Sequence, residues 1–156
     1  MAYSAAAVAN AFIQRAIDGE IPDLTPMKLQ KLMFYAQSWS LKIYKEPIFD
    51  DFFAKWQYGP VIPSIYHEVK KYGASKITSK ISNIEFDGND LFSVQPTVPA
   101  GDKKTNALID KIIEVYGSLR GTQLSYLTHQ DGTAWDKANK AGIDVLSNEL
   151  LRESKI

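Results

Sequence analysis

One stretch of this chain, residues 26 to 44, restricts the possible folds more than any other. Thr25 followed by Pro26 is a helix-start signal: the threonine oxygen can accept from an orphan backbone N–H, and proline at the first helical position lacks an N–H that would go unbonded there anyway. From that start Leu29, Leu32, Met33, Ala36, Trp39 and Ile43 recur at helical spacing. Phe34, Tyr35, Leu41 and Tyr44 add bulk on the other sides. A helix that is apolar nearly all round needs neighbours on several sides. Glu46-Pro47 ends it, because proline cannot continue a helix and restrains the residue before it. The expected fold is therefore a single compact domain, residues 1–156, built around this central helix.

The surrounding elements can be read from local signals. Ser4 caps a first helix running to about Asp18, with Val8, Ala11, Phe12 and Ala16 at helical spacing. The run from Phe49 to Tyr58 is either a short strand or irregular. Gly59-Pro60-Val61-Ile62-Pro63 then leads rigidly into a third helix from about Ser64 to Tyr72, stopped by Gly73. Residues 74 to 101 are richer in β-branched and polar residues, and alternation about Asp87-Gly88 predicts a hairpin. Asp102 caps a fourth helix carrying Leu108, Ile109, Ile112 and Ile113 up to Gly117. Shorter helices are expected near Thr122, Thr133 and Ser147. The class is mainly α with one small antiparallel β element, an α+β fold.

With 156 residues, 45% of them hydrophobic, the chain can fill a core of its own. Eighteen Lys and Arg balance eighteen Asp and Glu, so no whole-molecule field draws nucleic acid. The absence of cysteine removes disulfides, zinc–thiolate sites and thiol nucleophiles. The N-terminal residues have neither the basic start nor the apolar run of a signal peptide, and no run reaches the ~20 apolar residues of a membrane span. A cytoplasmic protein without membrane contact is expected.

Catalytic signals are sparse. His67 and His129 lie far apart in the chain, and no HExxH, GxSxG, GxxxxGK[ST] or GxGxxG pattern occurs. His67 sits off the apolar face of its helix and reads as solvated. His129, shortly before Trp135, either locks a turn or lines a recognition pocket; a hydrolase pairing it with Asp131 or Asp136 is the enzymatic alternative. Asp50-Asp51 reads as a solvated loop. Lys28, Lys31, Lys42 and Lys45 read as solvated, with a docking edge for an acidic partner or nucleic acid as the alternative. No catalytic residues, metal site or cofactor are assigned. The aromatic rings of Tyr35, Trp39, Trp56, Tyr58, Tyr66, Tyr72 and Trp135 are core candidates whose polar ends also suit interface anchors.

Three segments carry a resemblance: PMKLQKLMFYAQSW at 26–39, FAKWQYGPVIPSIY at 53–66, and Leu124-Ser125 through His129 to Trp135. Together they resemble the SocA-type, or Panacea, antitoxin domain family, common in prophages and toxin–antitoxin operons, over about residues 5 to 140. The resemblance implies a non-enzymatic antitoxin that neutralises a toxin encoded in the adjacent gene by direct protein contact. Family alternatives are delivery of the toxin to a cytoplasmic protease and, in members with an added helix-turn-helix domain, transcriptional regulation. Nucleic acid is not the expected partner here. The positions matching the family pattern are Tyr35, Gln37, Trp39, Trp56, Tyr58, Gly59, Pro60, His129 and Trp135; Tyr66 joins them as a candidate partner-binding residue. Partner choice is expected to reside in surfaces such as the 74–101 insertion.

Overall fold

In the computed structural model, which describes residues 2–156, the central helix α2 spans Pro26–Tyr44. Thr25 Oγ1 accepts from Lys28 N at 3.2 Å, and the helix ends on Lys45 in the left-handed region (φ 60°). Before it lies α1 (Ala5–Ile17), capped by Ser4. After it come β1 (Phe53–Trp56), β2 (Gly59–Val61), α3 (Pro63–Val69) with a 3-10 turn at Lys70–Tyr72, and the hairpin β3 (Asn83–Asp87) and β4 (Asp90–Val94). The chain closes with α4 (Lys103–Tyr116), α5 (Gly121–Thr128), α6 (Ala134–Ala141), β5 (Val145–Leu146) and α7 (Asn148–Glu153).

Helix α2 touches α1, α3, α4, α5, α7 and β2, so its apolar bulk is covered on several sides. Leu29, Leu32, Met33 and Ala36 are fully buried within one continuous core. Each of the larger side chains contributes about 1.5–3 kcal/mol by leaving water. Only Ile43 and Tyr44, in the last turn, emerge to solvent.

The β content exceeds the one small element expected. Beside the isolated hairpin β3–β4 there is a three-stranded antiparallel sheet in the order β2-β1-β5, with Ala54 opposite Val61 and Phe53 opposite Leu146. Gly59-Pro60-Val61 is thus a strand before it leads into a helix. Proline is tolerated because β2 is an edge strand. The third helix also starts one residue early, at Pro63, and its last turn tightens to 3-10.

Three buried side-chain amides hold irregular chain against the helices. Gln37, on α2, accepts from the N–H groups of Ile48 and Phe49 at 2.9 and 3.3 Å and donates to Phe49 O at 3.0 Å. Gln30 accepts from Ile62 N at 2.8 Å and donates to Ile62 O at 3.1 Å. Asn10, on α1, accepts from Ile81 N at 2.7 Å and donates to Ile81 O and Pro96 O at 2.9 and 2.8 Å. Buried backbone polar groups outside regular ladders need such partners, and an unbonded one costs about 1–3 kcal/mol. No helix among the described residues is long and apolar enough to cross a membrane.

Candidate functional site

Side chains from α2, α5 and α6 bond, one after another, backbone carbonyls of the segment joining β1, β2 and α3. Trp135 Nε1 donates to Trp56 O at 2.7 Å. His129 Nε2 lies 2.9 Å from Gln57 O, and Ser125 Oγ donates to Tyr58 O at 2.5 Å. Lys31 Nζ donates to Pro60 O at 3.2 Å, and Gln30 takes both backbone groups of Ile62. The result is a clamp in which distant side chains hold the whole course of residues 56–62.

The sequence places these groups by simple means. Gln30 and Lys31 are neighbours on α2. Ser125 and His129 are four apart, one helical turn along α5 and its C-terminal cap. Thr133 caps α6, accepting from Asp136 N at 3.3 Å, which sets Trp135 in the first turn. The His129 and Trp135 rings lie 3.9 Å apart. His129 Nδ1 lies 2.6 Å from Ser125 O, so both ring nitrogens face carbonyl oxygens, and a neutral imidazole can donate to one of them at a time. These contacts tie His129 to the turn at Gln57 and to its own helix end.

Gly59 sits at the tightest point. Its φ is +120°, and a Cβ there would stand 2.6 Å from Lys31 Cε and 2.9 Å from Thr128 Oγ1. Only glycine fits both the backbone angle and the space.

The lysine assignment needs correction. Lys28 and Lys31 are each 1% exposed rather than solvated. Lys28 Nζ reaches Pro22 O at 2.7 Å, and burial lowers its pKa, with Asp23 opposing. Burial pushes Lys31 down to about 7, with no carboxylate to counter it. Lys45 is exposed as expected, whereas Lys42 is half-buried with its Nζ donating to Arg152 O at 2.8 Å. The signal was available: polar residues inside a helix that is apolar on every side must be satisfied internally.

Of the ten residues singled out from sequence, seven meet in or beside this clamp: Trp56, Tyr58, Gly59, Pro60, Tyr66, His129 and Trp135. Tyr66 joins through an edge-on contact with Trp56, ring centroids 4.9 Å apart. The other three serve different neighbours. Tyr35 stacks on Tyr116 of α4 at 4.0 Å, and burial, then Tyr116, raises its pKa. Trp39 Nε1 donates to Tyr116 OH at 3.0 Å, and Gln37 holds residues 48–49. Gly59 and Pro60 are buried, whereas Trp56, Tyr66 and especially Tyr58, 63% exposed, present their rings to solvent. Phe52 and Tyr126, exposed large aromatics, were not singled out from the sequence; exposure of a lone ring leaves no signature in spacing. Among the described residues no group of three or more His, Asp or Glu converges as a metal site would require.

Residues 29–136, which include the Trp-Gln-Tyr-Gly-Pro turn, match the SocA-like antitoxin Panacea domain family. The chain belongs to that family. The matched span contains every member of the clamp, from Gln30 to Trp135. The chain is similar to antitoxin SocA of Caulobacter vibrioides (strain NA1000 / CB15N), 28% identical over 134 residues, which cover 85% of this chain and 68% of that protein. No solved structure matches it.

Proposed function

We propose that this chain, acting as one domain in the cytoplasm, is the antitoxin of a toxin–antitoxin pair and neutralises a toxin enzyme encoded in the adjacent gene by direct protein contact. The observation that carries the reading is membership of the antitoxin family over residues 29–136. The clamp supports it. Ser125, His129 and Lys31, which could serve acid–base or nucleophilic chemistry elsewhere, each make hydrogen-bond contact with a backbone carbonyl here. Their arrangement holds a shape, and a rigid shape with aromatic rings at its rim is suited to binding.

The test is co-expression of the tagged chain with the product of the adjacent gene, read as growth and as a purified complex. A neighbour that is toxic alone, with growth restored and a stoichiometric complex recovered, is the expected result. A harmless neighbour, or rescue without any complex, overturns the proposal.

A further inference from the structure

The hairpin β3–β4 stands apart from the rest of the molecule. Of its residues only Val94 is partly shielded, and none belongs to the core or packs against it. Its register pairs Ile84 with Ser93 and Phe86 with Leu91, so alternation puts Ile84, Phe86 and Leu91 together on one face. They are 78%, 69% and 71% exposed. A two-stranded hairpin is marginal on its own in water and gains independent stability when a further layer covers its apolar face. The mount beneath it is nevertheless tied down: Asn10 holds both Ile81 and Pro96, the segments on either side of the hairpin, through three hydrogen bonds. The fold thus fixes where the arm leaves the body and leaves its apolar face uncovered.

The opposite face of the hairpin carries charge of one sign. Residues 83–94 contain Glu85, Asp87 and Asp90 and no lysine or arginine, in a chain whose charges otherwise balance. Asp87 pairs directly with Asp90 across the tip, on the face opposite Ile84, Phe86 and Leu91. Like charges directly opposite one another destabilise a strand pair, and a cation brought between or beside them relieves that repulsion.

We infer that the β3–β4 hairpin is the arm that engages the partner, and that the partner is a protein cleft that takes the hairpin between two walls, one apolar against Ile84, Phe86 and Leu91 and the other carrying lysine or arginine side chains that meet Asp87 and Asp90. This rests on the toxin-binding reading above and names the surface and its chemistry. The body, held by the clamp, positions the arm. Shape comes from the apolar face, and orientation and encounter rate come from the carboxylates.

The experiment uses the full chain and the purified product of the adjacent gene, with affinity measured by calorimetry at two salt concentrations. Phe86→Ser with Leu91→Ser, and separately Asp87→Lys with Asp90→Lys, should each weaken binding by about 10- to 100-fold, the loss typical of central interface positions. Thermal unfolding of the body should be unmoved, because these side chains touch none of the core. Added salt should weaken the native complex more than that of an Asp87→Asn, Asp90→Asn variant. If the native chain binds and both hairpin variants bind equally well, the hairpin proposal falls while the antitoxin reading stands. If the native chain neither binds nor neutralises, both fall. A concentration-dependent dimer of the chain alone, lost in Phe86→Ser, Leu91→Ser while toxin binding persists, would assign the arm to a second copy and overturn the proposal.

Discussion

Replacing Gly59 by alanine tests the clamp at its most constrained atom. At φ +120° an L side chain is rarely accommodated, which costs about 1–3 kcal/mol of backbone strain. The added methyl would also sit 2.6 Å from Lys31 Cε and 2.9 Å from Thr128 Oγ1. Lysine tips usually swing aside, but this one is enclosed and bonded to Pro60 O, and Thr128 Oγ1 is itself bonded to Ser125 O at 2.7 Å. Overpacking of that kind costs about 1–3 kcal/mol more. A loss of about 2–6 kcal/mol is expected, a large part of the about 5–15 kcal/mol that holds a domain folded. In urea, with a slope of about 2 kcal/mol/M, the midpoint should fall by about 1–3 M. Gly142→Ala is the control: φ is +69° with nothing within 4 Å, so only a left-handed-region cost of about 1–2 kcal/mol applies. In a Lys31→Ala background the Gly59→Ala penalty should shrink, since the nearer clashing atom is gone while the Thr128 contact and the strain remain. A Gly59→Ala midpoint no lower than that of Gly142→Ala, together with no coupling to Lys31, would refute the steric account.

Lys31 gives the chain a pH signature. Its folded pKa is about 7 against an ordinary 10.5, so between those values the unfolded chain binds the extra proton. Stability therefore carries a penalty at and below pH 7 that is relieved as pH rises toward 9, by at most about 1.4 kcal/mol per pH unit; urea midpoints at pH 7, 8 and 9 should climb, and Lys31→Met should flatten the climb. Above pH 10 the raised pKa of Tyr35 acts in the opposite sense, stability being lost as its phenol ionises in the unfolded chain. Gln37→Leu leaves two N–H groups and a carbonyl of Ile48 and Phe49 buried and unbonded, and should cost at least about 3 kcal/mol in the same assay. Trp135→Phe removes one bond to Trp56 O and should cost about 1 kcal/mol, with unfolding that stays two-state. Tyr58→Ala should change stability by less than about 0.5 kcal/mol, since the phenol is largely in solvent; a larger loss in thermal melts would mean that this ring carries fold energy.

Much of the helical layout was legible because helix ends are written locally. Thr25-Pro26 starts α2 where expected, and Ser4, Asp102, Thr133 and Ser147 each cap the next helix within three residues of themselves. The hairpin about Gly88 could be read for the same reason: its pairing closes over adjacent residues. Family motifs also located the clamp, because the Trp-Gln-Tyr-Gly-Pro turn and the His129–Trp135 pair are contiguous words. What those words do was less legible. Gly59 and Pro60 read as a rigid turn, yet the reason for the glycine is a lysine tip from a helix 28 positions earlier.

The sequence by itself determined where the helices begin and end, that one of them must be surrounded, and which family the chain belongs to. Those properties depend on neighbours within a turn or two, or on short patterns that survive as text. Only the tertiary structure decided which carbonyls Lys28 and Lys31 reach, that Gln30, Gln37 and Asn10 bond remote backbone, and that Val145–Leu146 joins β1 as a third strand. A polar side chain carries no mark of the carbonyl it will meet, and a two-residue strand carries no period of its own. Both are settled only when packing removes water and leaves each buried polar group the partners that the fold brings within reach.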